Sequence, residues 1–182
     1  MKLLIASDLH GSALYCGQLL EALEREGAQA LLLLGDLLYH GPRNALPPEY
    51  DPQKVAALLN GLNCRVFCVR GNCEAEVDQM MLRFPVLGDY CLLQAGERLV
   101  FATHGHQYNL RTPPALKAGD VLLHGHTHVP AKDCSAGFWY LNPGSVSIPK
   151  EDSPHSYMTL EEGTFRWKDL SGREYDSLAL GE

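Results

Sequence analysis

Asp8 and His10 stand two residues apart in SDLHG (7–11), and His126 and His128 repeat that spacing in GHTH (125–128). On an extended backbone alternate side chains point to one side, so each pair can offer donors to one metal ion or to two neighbouring ions. Asp36 closes the run LLLLGD (31–36), Asn72 follows Gly71, and His104 follows the apolar run LVFAT (99–103). Singly, several of these have ordinary explanations: an Asp-x-His step can be a cap beside a surface histidine, and Asp36 can cap a turn. Three histidines within five residues (His124, His126 and His128) are harder to explain by packing. Ordinary explanations would have to hold separately in five segments, so the combination points to a metal site.

The elements that must bring these residues together follow from periodicity. Residues 2–7 read as a strand. Residues 12–26 read as a helix with Leu14, Leu19, Leu20 and Leu23 as its apolar positions, Ser12 as N-cap and Gly27 just past its last turn. Residues 30–34 are continuously apolar, as in a strand buried on both faces. A loop over 37–51 carries Pro42, Pro47 and Pro48 and is long enough to suggest a functional role. A helix at 52–61, a strand at 64–69 and a helix at 74–82 complete an alternating half, which implies a mostly parallel sheet. Beyond it, strands are expected at 90–94, 98–103, 120–124, 137–141, 156–160 and 164–169, the last two joined by a hairpin turn at Glu161-Glu162-Gly163. The fold class expected is therefore α/β: one domain over 1–182, with two packed mixed β-sheets flanked by helices in an α/β/β/α sandwich. The candidate ligands then fall at the carboxyl ends of strands, where open α/β sheets bind their ligands.

Composition narrows the function further. A chain of 182 residues with 46% apolar and 20% charged residues can bury roughly 70% of its unfolded surface, so it needs no disulfide or structural metal to fold. Fifteen Lys and Arg against twenty-two Asp and Glu give a net charge of -7. That argues against a grip on long nucleic acid, which relies on a positive field. It is compatible with phosphate chemistry at a metal site, because the ions bring their own positive charge. No apolar run approaches the ~18 residues of a membrane span, and MKLLIASDLHG lacks the long apolar region of a secretory signal. Six cysteines without CxxC pairs read as reduced thiols, most of them buried, in a cytoplasmic protein.

Taken in order, SDLHG, GD (35–36), GNCE (71–74), THGH (103–106) and GHTH, with NPGS (142–145) behind them, resemble the calcineurin-like metallophosphoesterase family. HGPRNALP (40–47), RGNCEAEVDQM (70–80) and NPGSVSIPK (142–150) are similar to its small bacterial YfcE-type phosphodiesterases, along essentially the whole chain. The resemblance implies two divalent metal ions. One would be held by Asp8, His10, Asp36 and His128, the other by Asp36, Asn72, His104 and His126, with Asp36 bridging them. Such a mixed shell suits Mn²⁺, the first expectation, or Fe²⁺, Zn²⁺ or Ni²⁺, better than an all-oxygen Mg²⁺ site. The implied reaction is hydrolysis of a small phosphodiester by a hydroxide shared between the ions, attacking phosphorus opposite the departing oxygen. Two rival readings accompany it: a protein-binding scaffold with a degraded metal site, and a phosphomonoesterase or nuclease. Seven chemically competent ligand positions argue against the scaffold, and the missing basic track argues against a long polynucleotide. A homo-oligomer is compatible with the sequence.

Around Asp36 and Asn72 the resemblance marks further catalytic candidates. Cys73 stands where most of the family has His, the residue usually assigned to protonating the leaving group or steadying the phosphate. A thiol with an ordinary pKa of about 8.5 is a poor donor beside an imidazolium, so the ordinary reading of Cys73 is a small buried filler. A preference for good leaving groups, or another proton donor, follows. His40 in the long loop and His106 are the candidate donors. Arg43 can fork onto a phosphate oxygen, while Asn44 shapes its loop. His124 stands one step too early to ligate and can orient a neighbour. Asn142-Pro143-Gly144 reads first as a turn, and His155 as an ordinary surface residue.

Overall fold

A computed structural model describes residues 1–181. Along the chain run β1 (Leu3–Ala6), α1 (Ala13–Arg25), β2 (Ala30–Leu33), α2 (Pro52–Asn60), β3 (Arg65–Cys68), α3 (Glu76–Met81), β4 (Tyr90–Ala95) and β5 (Arg98–Thr103). They are followed by β6 (Val121–His124), β7 (Pro130–Asp133), β8 (Trp139–Pro143), β9 (Ser156–Glu161), β10 (Thr164–Asp169) and β11 (Glu174–Ala179).

Local chemistry sets the boundaries. The Ser12 hydroxyl accepts from the Tyr15 amide (3.3 Å) and opens α1, and Gly27 (φ 59) follows its end. Asp51 caps α2 through the Lys54 amide (2.9 Å), with Pro52 in its first turn. The third helix starts two residues later than the pattern suggests. The Glu74 carboxylate is turned away to accept from three backbone amides, leaving Asp78 to accept from the Ala75 amide (2.7 Å) at the helix start. Glu162 and Gly163 both have positive φ (49 and 73), as a two-residue hairpin turn between β9 and β10 requires.

Six strands form one sheet in the order β11-β10-β9-β1-β2-β3, and five form a second in the order β4-β5-β6-β8-β7. Within the first, β1, β2 and β3 are parallel and β9 enters antiparallel beside β1. Within the second, β5, β6 and β8 are parallel, with β4 and β7 antiparallel at the edges. Alternation along β1 shows how the layers are held. Leu4 and Ala6 face α1 and α2, against Cys16, Leu19, Leu23, Val55 and Leu59, while Leu3 and Ile5 face the second sheet. There they meet Val100, Val121, Leu123 and Leu141, each such buried side chain contributing about 1.5–3 kcal/mol of apolar transfer.

Two mixed sheets with helices are as the pattern predicts. The fourth layer differs: among the described residues no helix covers the outer face of the second sheet. Phe101, Leu122 and Phe138 are covered there by Tyr108 and Leu116 from the irregular segment 104–118. Two edge strands, β7 and β11, have no counterpart in the sequence pattern. β8 also starts two residues late, after a turn at Gly137 (φ 86). The cysteines are less buried than expected: Cys16 is buried, Cys64, Cys68, Cys73 and Cys91 are half-buried, and Cys134 is exposed, all as free thiols.

Candidate metal centre

The segments after β1 and β2 are laced together before any side chain is considered. The Asp8 amide donates to the Gly35 carbonyl (3.1 Å), the His10 amide to Asp36 (2.9 Å) and the Gly11 amide to Leu37 (2.8 Å). The loops after β3 and β6 come equally close. A Cβ on Gly71 would strike Asp36 Oδ1, and one on Gly125 would strike Ser7 Oγ and lie 2.7 Å from Asp8 Oδ2, so only glycine allows these approaches. Asp8 (φ 61), His10 (φ 48), Asp36 (φ 57), His126 (φ 66) and His128 (φ 64) all have left-handed backbones. Side chains other than glycine reach that region at a cost of order 1–3 kcal/mol each, and such residues cluster where surrounding structure enforces them for function.

Each carboxylate divides its oxygens between scaffold and cleft. Asp8 Oδ2 accepts from the His126 amide (3.1 Å), while Oδ1 is buried without a hydrogen bond, 3.3 Å from His128 Nε2 and 3.6 Å from His10 Nε2. Asp36 Oδ1 accepts from the Cys73 amide (2.9 Å), and Oδ2 lies 3.7 Å from His10 Nε2 and 3.5 Å from His104 Nε2. Asp36 Oδ2 therefore stands between two histidine groups. In the first, His10 Nε2 and His128 Nε2 are 3.2 Å apart. In the second, His104 Nε2 lies 3.2 Å from Asn72 Oδ1 and 3.1 Å from His126 Nδ1.

Backbone carbonyls decide which imidazole nitrogen is free. Nδ1–H of His10 donates to Tyr39 O (2.9 Å), that of His128 to Ile148 O (2.6 Å) and that of His104 to Leu34 O (2.7 Å). Nε2 of each ring consequently faces the carboxylates, an arrangement typical of metal-binding histidines.

The charges are tightly coupled. Burial alone would raise the Asp8 carboxyl, but the neighbouring His10 and His128 rings hold it well below its ordinary value. Asp36 is lowered against burial by His104, and His104 is pushed up to about 9 against burial by Asp36 and Asp8. His126 is pushed down to about 4 by burial and the charge of His104. Burial and the Asp36 charge raise Glu74 to about 7, and burial and Asp36 likewise keep the Cys73 thiol protonated.

Cation binding fits this donor set on its own geometry. Donors about 2.1 Å from one ion lie about 3.0–3.4 Å apart in octahedral or tetrahedral shells. The nitrogen–nitrogen and nitrogen–oxygen separations above fall in or near that range. Donor atoms of Asp8, His10 and His128, of His10, Asp36 and Cys73, and of Asp8, Asp36 and His104 form three overlapping groups, each within 4.8 Å. A positive ion between them would give the orphaned Asp8 Oδ1 a partner.

A calcineurin-like phosphoesterase superfamily domain model matches residues 1–164. Across 161 residues, 88% of both chains, the sequence is 48% identical to phosphodiesterase YfcE of Escherichia coli K12. The chain belongs to the calcineurin-like phosphoesterase superfamily. It is also 29% identical over 189 residues to the probable metallophosphoesterase YsnB of Bacillus subtilis, covering 98% of this chain and 96% of that one. The solved structure of YfcE, a phosphoesterase from E. coli, matches with a TM-score of 0.94 and 43% identity, covering all of both chains.

A cleft of about 470 Å³ opens over the donors, lined by His10, Asp36, Asn72, His126 and His128. Arg43, Asn44, Cys73, Thr127 and Lys150 form the rest of its wall with Gly41 and Pro42. Cys73 is thus a wall of the cleft and not a buried filler. His40 lies outside that lining, its ring edge-on to Tyr39 and Tyr50 at 4.7 and 5.3 Å. His106 stands behind the second group, 5.5 Å from the His104 ring and 6.4 Å from His126. Buried His124 donates from Nδ1 to Gly125 O (3.0 Å) and packs on Tyr140, holding the loop that carries His126. His155 is not a surface residue: half-buried, it stacks on Tyr15 at 4.0 Å and donates to Val146 O (2.8 Å).

Positioning residues escaped the sequence reading. Glu74 accepts from the amides of Asp36 (2.9 Å), Leu37 (2.7 Å) and Gly71 (2.5 Å), fixing two ligand loops together. Ser145 and Ser147 both donate to the Asp8 carbonyl (3.0 and 2.9 Å). Asn142, at the end of β8 more than in a turn, donates to Gly125 O (2.9 Å) and Thr127 Oγ1 (3.0 Å). Both serines lie in NPGSVSIPK (142–150), where nothing local reveals their partner. Lys150, a second cation at the cleft, closes the same motif.

Proposed function

We propose that this chain is a metal-dependent phosphodiesterase that hydrolyses small phosphodiesters at a pair of divalent cations, with Mn²⁺ the first candidate. The observation that carries the reading is Asp36 Oδ2, which faces His10 on one side and His104 on the other. Asp8, His10, Asp36 and His128 would hold one ion, and Asp36, Asn72, His104 and His126 the other. When bound, such a pair supplies positive charge for the phosphoryl oxygens and lowers the pKa of a shared water toward ~7, making hydroxide available. Asn72 contributes an amide oxygen without adding negative charge that would repel a phosphate. Arg43 and Lys150 line the cleft where they can orient the remaining phosphoryl oxygens. Cys73 stays neutral and offers only a weak S–H donor, so departing groups must leave with little help from it. The protein-binding scaffold reading leaves the strained ligand backbones without a purpose. Six free thiols suit a cytoplasmic setting.

The decisive experiment combines metal analysis with turnover of bis(p-nitrophenyl) phosphate. Two equivalents of Mn²⁺ per chain and activity lost to a chelator and restored by Mn²⁺ are expected. Turnover indifferent to chelation, or none with any of Mn²⁺, Fe²⁺, Zn²⁺ and Ni²⁺, would overturn the reading. Cys73→His should add about tenfold or more on alkyl leaving groups and little on nitrophenolate. An equal gain across a leaving-group series would remove this role of residue 73.

A further inference from the structure

Beside the cleft lies a second cavity, an open groove of about 430 Å³. Its walls are Leu38, Tyr39 and Tyr50 on one side and Val77 and Met81, one turn apart on α3, on the other. Cys73 lines both spaces and is the one residue they share. The groove is apolar, and the carboxylate nearest to it, Asp78, is occupied with the Ala75 amide at the start of α3. Tyr39 (42%), Val77 (60%) and Met81 (42%) remain exposed on this otherwise acidic protein.

The groove is also built into the donor loops. The Tyr39 carbonyl fixes His10 through Nδ1. Tyr50 packs so closely on Gly11 that a Cβ there would lie 2.5 Å from its ring, and its backbone bridges to Ser12. Both tyrosines are therefore placed by the segment that carries His10, and they stand ready before a ligand arrives. Pockets of about 300–1,000 Å³ with aromatic walls and one polar end are suited to small organic ligands. The metal cleft adjoins the groove across Cys73, so an occupant spanning both would be anionic at one end and flat and apolar at the other.

We propose that the Tyr39–Tyr50–Met81 groove is a subsite for an aryl arm of the substrate, which makes aryl phosphodiesters the preferred class. This rests on the phosphodiesterase reading above. Aromatic rings and a thioether side chain at the walls favour an aromatic arm over an alkyl arm of equal length. Cys73 is small enough to let the arm pass from phosphorus into the groove.

The test compares phenylphosphonate with methylphosphonate, two anions that differ in this arm alone, on the Mn²⁺-loaded protein by calorimetry. Phenylphosphonate should bind about 30-fold tighter, the order expected when about 80 Å² of apolar surface leaves water. Val77→Glu and Met81→Glu should each cut that ratio at least fivefold, while Met81→Leu should preserve it; both sites are exposed, so folding is not at risk. Equal affinities for the two phosphonates, or a ratio unmoved by the glutamates, would sink the subsite and leave the phosphodiesterase reading standing. Failure of methylphosphonate to bind at all would take both down. Sedimentation of wild type and Met81→Glu covers the other occupant. A dimer that the glutamate splits would assign the groove to a second copy of the chain and overturn the proposal.

Discussion

Two acidic clusters of the molecule are built in opposite ways. Before β1, Lys2 pairs with Glu26, whose carboxylate also accepts from Lys168 (2.8 and 3.0 Å) and from the Tyr157 hydroxyl (2.9 Å). After β1, Asp8 and Asp36 face the Nε2 atoms of histidines, and Asp8 Oδ1 has no hydrogen bond. The first cluster is saturated by the chain itself. The second keeps valence in reserve, on backbones held in an unfavourable conformation. Buried polar groups in folded proteins are almost always satisfied, so a cluster that is not marks where something else belongs.

Breaking the unsaturated cluster should have the largest effect. Asp36→Asn should lower kcat/KM on bis(p-nitrophenyl) phosphate by about 10³-fold or more, since it touches both donor groups and even indirect partners of a metal site cost 10–100-fold. Metal analysis should show less than two Mn²⁺ per chain, with the fold intact by circular dichroism. Retained metal and activity would dissolve the contrast. A softer break is the double variant Ser145→Ala, Ser147→Ala, which removes both hydroxyl hydrogen bonds to the Asp8 carbonyl while leaving every donor in place. Competition with a chelating dye should show about tenfold weaker Mn²⁺ binding.

The saturated cluster should behave as structure alone. Glu26→Gln is expected to leave kcat/KM within about twofold and to cost about 1–2 kcal/mol in urea unfolding, the scale of partly buried charged hydrogen bonds. Despite burial, Lys168 and Tyr157 lower the Glu26 carboxyl from its ordinary 4.5. Its stabilisation is therefore fully present above pH 4.5 and is lost as pH falls through the lower native value. Unfolding curves of wild type and Glu26→Gln should accordingly converge in acid, whereas a gap constant to pH 3 would contradict the pairing.

How much was legible in the sequence follows the same division. The apolar runs of β1, β2, β5 and β6 and the cap at Ser12 are local signals, and the elements formed where those signals stand. PAKD in β7 and EYDSLA in β11 lie at sheet edges with little buried area, so they carry no strong alternation. The donor residues were visible because their types are unusual together. Glu74, Ser145 and Ser147 were not, because they act through hydrogen bonds to backbone 37, 137 and 139 residues away, which no local pattern records. His155 was misjudged for the same reason: its partners, Tyr15 and Val146, are neighbours only in the folded chain.

The insertion of β9 beside β1 has a consequence for biosynthesis. Asp8 emerges from the ribosome early, yet His10 waits 118 residues for His128, and Asp8 waits 139 residues for Ser147. The first sheet closes around β1 only once Ser156–Glu161 has arrived. On the proposed reading, a nascent chain shorter than this has no complete place for the cations, so loading would follow translation of nearly the whole polypeptide. The ions would then be captured by the finished tertiary structure, and their uptake could serve as a readout of complete assembly.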